Sequence, residues 1–330
     1  MFDKMVNPKD GAKESTQTTQ PMHTMTPITT TTVVNASDPC RPTLVMSIMN
    51  TTPDSFSDGE LNTLDPETLR ETAAAHIAAG AHIIDVGGQS SRPNAPDVTA
   101  EEEINRVLPA IAAIKSLPEA EGVAISVDTY RAAVAEAAVN AGAHIVNDIS
   151  AGALDPQMLS TVARLGCTYV MMHMRGTPAT MQSPENCTYE GNIRNEIVKE
   201  LGNRIKLAIE AGVRRWRIIR DPGIGFAKTH DQNIHLLRYA LFERNDSTHP
   251  NLRRIRGQRY MPQLVGCSRK GFIGSITGVK EPRDRIFGTA AAVAASVRAG
   301  ADIVRVHDVQ EMAQVAKMTD AIFRYDDNKS

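Results

Sequence analysis

A long oxygen-rich segment, NTTPDSFSDG at residues 50–59, directly follows the short apolar run 44–49. A connection that only joins a strand to a helix needs roughly 2–6 residues. This segment is longer and is filled with Asn, Asp, Ser and Thr, which indicates a mobile functional loop rather than an ordinary solvated turn. Asn50 together with an oxygen of this loop is suited to Mg²⁺, which usually keeps several waters and shares the phosphates of a substrate.

Polar and ionisable side chains also follow the later apolar runs of the chain. Asp128, Asn147 and Asp221 suit a nitrogen-rich heterocycle with an amidine-like edge, because a carboxylate accepts two parallel hydrogen bonds. A complementary cationic set suits phosphate, and its members are Arg92, Lys270, Arg305 and His307. Together these residues predict a ligand with two ends, a flat nitrogen-rich ring attached to a pyrophosphate.

A simpler interpretation exists for an aspartate that follows a strand, because such a residue often caps the next helix. Helix capping suffices as an explanation for Asp148, Asp155 and Asp308. It does not explain why Lys270 and Arg305 follow strands in the same pattern as the acids. A shared functional site accounts for all of them.

Eight short apolar segments alternate with helical stretches from residue 43 onward. Nearly continuous apolar runs are typical of parallel strands buried on both faces, and these runs are 44–49, 82–86, 123–128, 144–148, 168–173, 216–221, 262–267 and 302–306. Helix signals separate them: Asp65-Pro66 and Asp155-Pro156 begin helices, and Gly80 and Gly166 end them. The pattern predicts an α/β fold, a (β/α)8 TIM barrel, with its active site at the carboxyl ends of the strands. No GxGxxG loop supports an open doubly wound sheet.

The composition excludes several classes of partner. The chain has 330 residues, 42% of them hydrophobic and 22% charged, as in a soluble globular protein. Its net charge of −2 gives no reason to expect nucleic acid or an anionic membrane as a partner. No apolar run reaches the roughly 20 residues that span a bilayer. The four cysteines form no metal-binding pattern, so we expect reduced thiols in a reducing compartment.

The first forty residues differ from the rest of the chain. Residues 1–40 are rich in Thr, Gln, Ser and Pro, which predicts a disordered tail or a linker from a longer multidomain chain. The segment has no apolar core of a secretory signal and contains Lys but no Arg, which argues against a mitochondrial presequence. We expect a cytoplasmic protein, with a mitochondrial location as the open alternative.

Five segments in barrel order resemble dihydropteroate synthase, particularly its fungal and other eukaryotic members. They are residues 50–59, DVGGQSSRP at 85–93, DPGIGF at 221–226, SRK at 268–270 and RVHD at 305–308. The segment MMHMRG at 171–176 strengthens the resemblance, which extends over about residues 43–324. It implies that residues 41–330 form a pterin-binding TIM-barrel domain.

The resemblance implies a transferase of folate and tetrahydrofolate biosynthesis. Such an enzyme condenses 6-hydroxymethyl-7,8-dihydropterin diphosphate with 4-aminobenzoate to give 7,8-dihydropteroate and pyrophosphate. The resemblance further implies Mg²⁺ as cofactor, sensitivity to sulfonamides, no nucleic-acid or membrane partner, and a homodimer formed through the last helices, including the Ala-rich segment 288–297. Linkage to other folate-pathway domains is a further possibility.

The same resemblance implies a role for each matching residue. The pterin ring would contact Asp128, Asn147, Met172, Asp221 and Lys270. The diphosphate would contact Ser91, Arg92, Arg305 and His307. The aminobenzoate would contact Phe56, Pro93, Phe226 and Lys270, and Mg²⁺ would bind Asn50. The residues expected to act in catalysis are Asp58, Lys270, Arg305 and His307.

Three positions depart from the usual family pattern. Thr51 replaces a common Val, and Ser91 replaces a common Thr while keeping the hydroxyl. Gly271 stands where many members have a Ser that can bind the aminobenzoate carboxylate. Backbone N–H groups at a helix N-terminus would take over that role here, which leaves the affinity for aminobenzoate open.

Two other functions fit parts of the sequence, and one segment has no assigned role. A methyltetrahydrofolate:corrinoid methyltransferase would share the acidic pterin end but would not need the SRK and RVH segments for a diphosphate. A catalytically silent scaffold within a folate-pathway assembly is the second alternative. The Arg-rich segment 243–260 is an ordinary solvated loop or an interface with a neighbouring domain.

Overall fold

The computed structural model describes residues 40–52, 65–90, 97–238 and 261–324. Eight parallel strands form one sheet in the order β6-β5-β4-β3-β2-β1-β8-β7. Their bounds are β1 Leu44–Asn50, β2 Ile83–Gly87, β3 Ala124–Asp128, β4 Ile145–Asp148, β5 Thr168–Met172, β6 Ile218–Asp221, β7 Leu264–Val265 and β8 Ile303–Val306. A bridge between Arg220 and Gln263 joins β6 to β7 and closes the sheet. The predicted (β/α)8 barrel is confirmed.

Helices follow the strands and surround the barrel. Their bounds are α1 Pro66–Ala78, α2 Ala100–Lys115, α3 Ala132–Ala141, α4 Met158–Leu165, α5 Pro184–Cys187, α6 Ile193–Glu210, α7 His230–Arg238, α8 Gly271–Thr277, α9 Ile286–Arg298 and α10 Val309–Phe323. Asp65 caps α1 as predicted, because its side chain accepts a hydrogen bond from the Thr68 backbone N–H. No helix in the described ranges is long and apolar enough to cross a membrane.

Three predicted boundaries were clearly wrong. The strand predicted at 262–267 is reduced to Leu264–Val265. The strand predicted at 216–221 begins only at Ile218, because Arg215–Arg217 form a 3₁₀ turn. The helix predicted to begin at Asp155-Pro156 begins at Met158. The Asp155 carboxylate instead accepts backbone N–H groups of Gln157 and of Ala132, the first residue of α3. It thus caps a different helix from the one that its sequence position predicts.

The core has an inner and an outer part. Every strand contributes to the inner part, which comprises Leu44, Met46, Ile83, Ala124, Ile145, Val170, Ile219, Leu264 and Ile303. Layers of branched side chains of this kind fill TIM barrels. Two further clusters pack the outward faces of the strands against the helices. The barrel interior is therefore closed by apolar side chains, and polar groups collect beyond it at the strand ends.

The strand register sets which polar groups become neighbours. Asn50 is aligned with Gly87, Gly87 with Asp128, and Asp128 with Asn147. These four residues therefore form one row across β1 to β4 at the carboxyl edge of the barrel. The predicted tail at 1–40 stays a prediction, because residues 1–39 lie outside the described ranges.

Candidate active site

A network of charges and amides occupies the carboxyl ends of β2, β3, β4 and β8. Arg305 donates from Nε to Asp85 Oδ2 and from Nη2 to Asp128 Oδ2, both at 2.6 Å. Asn147 Nδ2 donates to the same Asp85 oxygen at 2.9 Å. Asp85 is completely buried, and its Oδ1 has no hydrogen-bond partner in the described part of the chain. The network brings together three predicted site residues, Asp128, Asn147 and Arg305, with Asp85 as the fourth member.

Burial changes the proton affinity of this network. Burial raises the pKa of Asp128 to about 7, although the nearby Arg305 guanidinium opposes that rise. The pKa of Arg305 is raised despite burial, because Asp85 and Asp128 stabilise its charge. Arg305 therefore stays a cation, whereas Asp128 changes its charge near neutral pH.

Asp221 ends β6 and turns toward the same rim. Its Oδ1 accepts the Gly223 backbone N–H at 2.7 Å. Gly223 has φ +69°, and a Cβ there would overlap the His173 carbonyl oxygen, so this tight turn requires glycine. Burial raises the pKa of Asp221 to about 6, while the Gly223 N–H and the charges of Lys270, Lys228 and Arg305 act in the opposite direction.

Lys270 and Phe226 form the wall next to Asp221. The Lys270 ammonium group lies 4.1 Å from the centre of the Phe226 ring, a cation–π contact. Gly225, with φ +84°, allows this approach, since a Cβ there would lie 2.9 Å from Lys270 Cδ. Burial and the neighbouring Arg305 lower the pKa of Lys270 to about 8, although Asp221 favours its charge. The structure thus joins two residues that the resemblance assigns to the aminobenzoate.

His307 lies at the end of β8 beside the loop after β7. Its Nδ1 is 3.0 Å from Ser268 Oγ, which also accepts the His307 backbone N–H at 3.2 Å. The neighbouring Arg269 donates to both carboxylate oxygens of Asp308. The capping explanation for Asp308 is therefore wrong: it stands at the start of α10 but makes no capping bond with its side chain. Its carboxylate instead links the two loops.

Asp148 also differs from a simple helix cap. Its carboxylate is buried and accepts the backbone N–H groups of Ser150 and Gly152 and the Tyr169 hydroxyl. These bonds stabilise the turn after β4, before the helix begins. Asp148 is a structural residue, as expected, but its partners are a turn and a tyrosine.

The Asn50 side chain is suited to a hard cation. Its Oδ1 lies 3.3 Å from the position that a Cβ on Gly87 would occupy, and Asp128 Cβ lies 3.7 Å from the same position. Gly87 therefore leaves room between the two polar side chains. Within the described ranges no group of three or more His, Cys, Asp or Glu side chains is arranged to hold a metal. A single oxygen ligand, without a cluster of other protein ligands among the described residues, suits Mg²⁺ that is bound largely by waters and substrate phosphates.

Several predicted residues lie outside the described ranges. They are Phe56, Asp58, Ser91, Arg92 and Pro93, together with the whole Arg-rich segment 243–260. Their assigned roles stay predictions. Met172 lies within the described part, buried at the end of β5 and aligned with Asp221. All four cysteines are free thiols, as predicted.

Sequence reasoning assigned no role to three charged residues beside this site. Asp85 lies near the carboxyl end of β2 and is the first residue of the matching segment 85–93, and that position was the available signal for it. Lys228 and Glu200 gave no signal, because Lys228 lies in the loop between β6 and α7 rather than at a strand end, and Glu200 lies within α6. Only the folded structure shows that both side chains lie beside the site, because both contact His173.

Known proteins of one family are similar to this chain over most of its length. The family described as "Pterin binding enzyme" matches residues 46–307. A dihydropteroate synthase of Synechocystis is 45% identical over 283 residues, which cover 86% of this chain and 91% of that protein. A solved Clostridium difficile dihydropteroate synthase, determined in the presence of pteroic acid, superimposes with a TM-score of 0.73 at 37% identity, covering 86% of this chain and 98% of that one.

A longer relative also matches. The folic acid synthesis protein fol1 of Pneumocystis carinii is 48% identical over 285 residues, which cover 86% of this chain. The match spans only 36% of that protein. This chain thus corresponds to about a third of the length of that relative.

Proposed function

The chain belongs to the pterin-binding enzyme family, and we propose that it is a dihydropteroate synthase. It condenses 6-hydroxymethyl-7,8-dihydropterin diphosphate with 4-aminobenzoate to give 7,8-dihydropteroate and pyrophosphate. The observation that carries this proposal is the contact between an acid–amide group and a cation at one barrel mouth, where Arg305 pairs with Asp85 and Asp128. Methyl transfer from a folate would need no cation for a diphosphate, so the methyltransferase alternative is not favoured.

The residues divide between the two ends of the substrate. Asp128, Asn147 and Asp221 accept the N–H groups of the pterin ring, beside Met172. Arg305 and His307 face the diphosphate, where cations stabilise the charge that develops on the leaving group. When bound, Mg²⁺ held by Asn50 neutralises part of the same charge.

The reaction requires no activated nucleophile from the protein. The C–O bond between the pterin methylene and the diphosphate breaks, and the amino nitrogen of 4-aminobenzoate bonds to the methylene carbon and loses a proton. An aniline nitrogen is already nucleophilic, so the role of Lys270 and Phe226 is to border and orient the ring. Sulfonamides compete for this aminobenzoate position.

The direct test is turnover of the two substrates by the purified protein. We expect 7,8-dihydropteroate and pyrophosphate in equal amounts, measured by chromatography and a coupled phosphate assay. Addition of a sulfonamide should inhibit competitively with 4-aminobenzoate. Pterin binding without any product would contradict the proposal and favour a silent scaffold.

Mg²⁺ should be required for turnover. Asn50→Ala removes the proposed oxygen ligand, and we expect it to raise the Mg²⁺ concentration needed for half-maximal rate. Asn50→Asp is the matched control, because it keeps an oxygen in the same place and should preserve the response to Mg²⁺. Equal rates in EDTA and in excess Mg²⁺ would refute the requirement.

Binding of a free pterin should depend on pH. Burial raises the pKa of Asp128 to about 7 and of Asp221 to about 6, so both carboxyls are protonated in acid. A protonated carboxyl loses its charge and one acceptor, and the affinity should therefore rise as the pH increases from about 5 to about 8. Calorimetric titration across this range measures the effect. A pH-independent affinity would show that neither acid contacts the ring.

We propose a homodimer formed through the outer faces of α8, α9 and α10. This surface carries exposed apolar side chains, of which Phe287 is 89% exposed; the others are Ile276, Met318, Ile322 and Phe323. Large exposed apolar patches mark interaction sites.

Light scattering should give twice the monomer mass for the wild-type protein, and Phe287→Glu should give the monomer. Trp216→Glu, a control at an exposed aromatic residue in the 3₁₀ turn before β6, should leave the dimer intact. A monomeric wild type at tens of micromolar would contradict the proposal.

Linkage to other folate-pathway domains is also part of the proposal. It is supported by the longer relative named as a folic acid synthesis protein, of which this chain matches about a third. Immunoblotting of a lysate from the source organism would distinguish a long polypeptide from one of 35.8 kDa, the mass of the present chain.

A further inference from the structure

A buried lysine lies behind the pterin end of the site. Lys228 is only 2% exposed. Its Nζ donates to the Phe226 carbonyl oxygen at 2.8 Å and lies 3.2 Å from His173 Nδ1. Among the described residues no carboxylate lies at ion-pair distance from this ammonium group. Burial of a cation without a paired anion is unfavourable. A buried lysine in this position therefore indicates a specific role for its ammonium group.

A chain of polar contacts fixes the orientation of His173 next to Lys228. His173 Nε2 lies 2.9 Å from Glu200 Oε2, and Glu200 also pairs with Arg175. Since Nδ1 faces the ammonium group and accepts from it, Nε2 carries the proton and donates to Glu200. Burial and the charge of Lys228 lower the pKa of His173 to about 4. His173 is therefore a neutral acceptor for Lys228 at neutral pH.

Lys228 contacts the turn that carries two site residues. The turn begins at Asp221, passes Gly223, and reaches Phe226. Lys228 Nζ lies 3.4 Å from the position of a Cβ on Gly223, whose N–H is bonded to Asp221, and it binds the Phe226 carbonyl directly. Its ammonium group thus contacts the end of the turn at Phe226 and approaches its middle at Gly223.

We propose that Lys228 is a positioning residue for the pterin end: its ammonium group fixes the 221–226 turn and its charge stabilises the Asp221 carboxylate. The inference rests on the proposed function, which assigns Asp221 to the pterin ring. It adds a specific electrostatic role to a residue that does not touch the substrate. A residue with a purely structural role would stabilise the fold without affecting how Asp221 titrates.

The charges around Asp221 and Lys228 determine in which direction the loss of the Lys228 charge would shift the pKa of Asp221. Asp221 faces Lys228, Lys270 and Arg305, all cations, and the pKa of Asp221 is about 6 because burial outweighs them. Burial lowers the pKa of Lys228 to about 7, although Asp221, Glu200 and Cys187 favour its charge and Arg175 opposes it. Lys228 is therefore mostly charged near pH 6, where Asp221 titrates. Loss of that charge should raise the pKa of Asp221 further.

Two substitutions separate charge from hydrogen bonding. Lys228→Gln removes the charge and keeps an N–H donor for the Phe226 carbonyl, whereas Lys228→Met removes both. Lys115→Met is the matched control, because Lys115 also donates from Nζ to a backbone carbonyl, that of Ala141. It lies at the end of α2, at the opposite end of the barrel from the site.

The readouts are kcat and KM for dihydropterin diphosphate from pH 5 to pH 9, with pterin binding by calorimetry. In wild type the acid limb of kcat/KM contains an Asp128 step near pH 7 and an Asp221 step near pH 6. In both Lys228 variants the Asp221 step should move up by about one pH unit, a tenfold effect in the protonation equilibrium. At pH 8 we expect Lys228→Met to raise KM about tenfold and Lys228→Gln less than threefold, because only the former loses the hydrogen bond. Lys115→Met should behave as wild type.

The outcomes separate this inference from the proposed function. A wild-type protein that forms no dihydropteroate would contradict the proposed function. Wild-type turnover together with an unmoved acid limb in both Lys228 variants would overturn the inference, even if the thermal midpoint falls. If Lys228→Met does not fold, Lys228→Gln carries the test, since its amide retains the donor and much of the side-chain volume.

Discussion

Asp221→Asn should lower the affinity for a free pterin by about 100-fold. The substitution keeps an Oδ1 acceptor for the Gly223 N–H, which lies 2.7 Å from it, so the turn should persist. It removes the negative charge and replaces the second acceptor with an NH₂ group, which faces the N–H edge of the ring. Loss of charged hydrogen bonds of this kind costs about 3 kcal/mol, which corresponds to roughly two orders of magnitude in Kd.

The measurement is calorimetric titration with a pterin that lacks the diphosphate, at pH 8, where Asp221 is ionised in the wild type. Asp155→Asn is a matched control, because the Asp155 carboxylate also accepts backbone N–H groups, those of Ala132 and Gln157. That variant should bind the pterin normally. Retained affinity in Asp221→Asn would remove Asp221 from the binding site.

Arg305→Met should reduce kcat/KM by about three orders of magnitude and destabilise the fold by about 3 kcal/mol. The loss of activity follows from the loss of a cation beside the diphosphate, for which a factor of 10²–10³ is typical of one stabilising donor. The loss of stability follows because Asp85 and Asp128 both bind this guanidinium. Removal of one partner from a buried ion pair leaves an uncompensated charge.

The loss of stability in Arg305→Met should increase with pH. Without the guanidinium, the pKa of Asp128, already about 7, rises further. A carboxyl with a raised pKa in the folded state favours folding when protonated, and this contribution disappears as the pH rises through that pKa. Urea unfolding at pH 5.5 and pH 8.5 should therefore show the larger deficit at pH 8.5.

A double variant, Asp85→Asn with Arg305→Met, separates the two effects. It removes one of the two carboxylates that the cation compensates, so part of the lost stability should return while activity stays low. Asp85→Asn alone should keep the hydrogen bond from Asn147 only if its oxygen retains the present orientation. An Arg305→Met protein as stable as wild type at both pH values would contradict the role of Arg305 as the counter-ion of these acids.

The sequence by itself determined the barrel and the end of it that holds the site. Parallel strands buried on both faces leave nearly continuous apolar runs, and such runs occur at all eight strand positions. Polar residues such as Asp128 and Asp221 end these runs, and the direction of a parallel strand fixes which rim they reach. Even the short β7, Leu264–Val265, was detected, although its length was overestimated.

The tertiary structure decided which polar groups contact each other. Arg305 binds Asp85 across 220 positions in the chain. Only the pairing of β8 with β1, which in turn pairs with β2, brings the two residues together. Asp155 caps α3 and Asp308 binds Arg269, although both occur where local rules predict caps for the helices that follow them.

Lys228 is the clearest case of information that only the folded chain contains. In the sequence it is one lysine in a loop, whereas in the fold it is buried against His173, which lies 55 positions earlier. Sequence patterns predict which side chains are buried in the hydrophobic core, because such burial requires only a periodic arrangement of apolar residues along the chain. Directed contacts between polar groups depend on distances between separate loops, and packing of the whole barrel sets those distances.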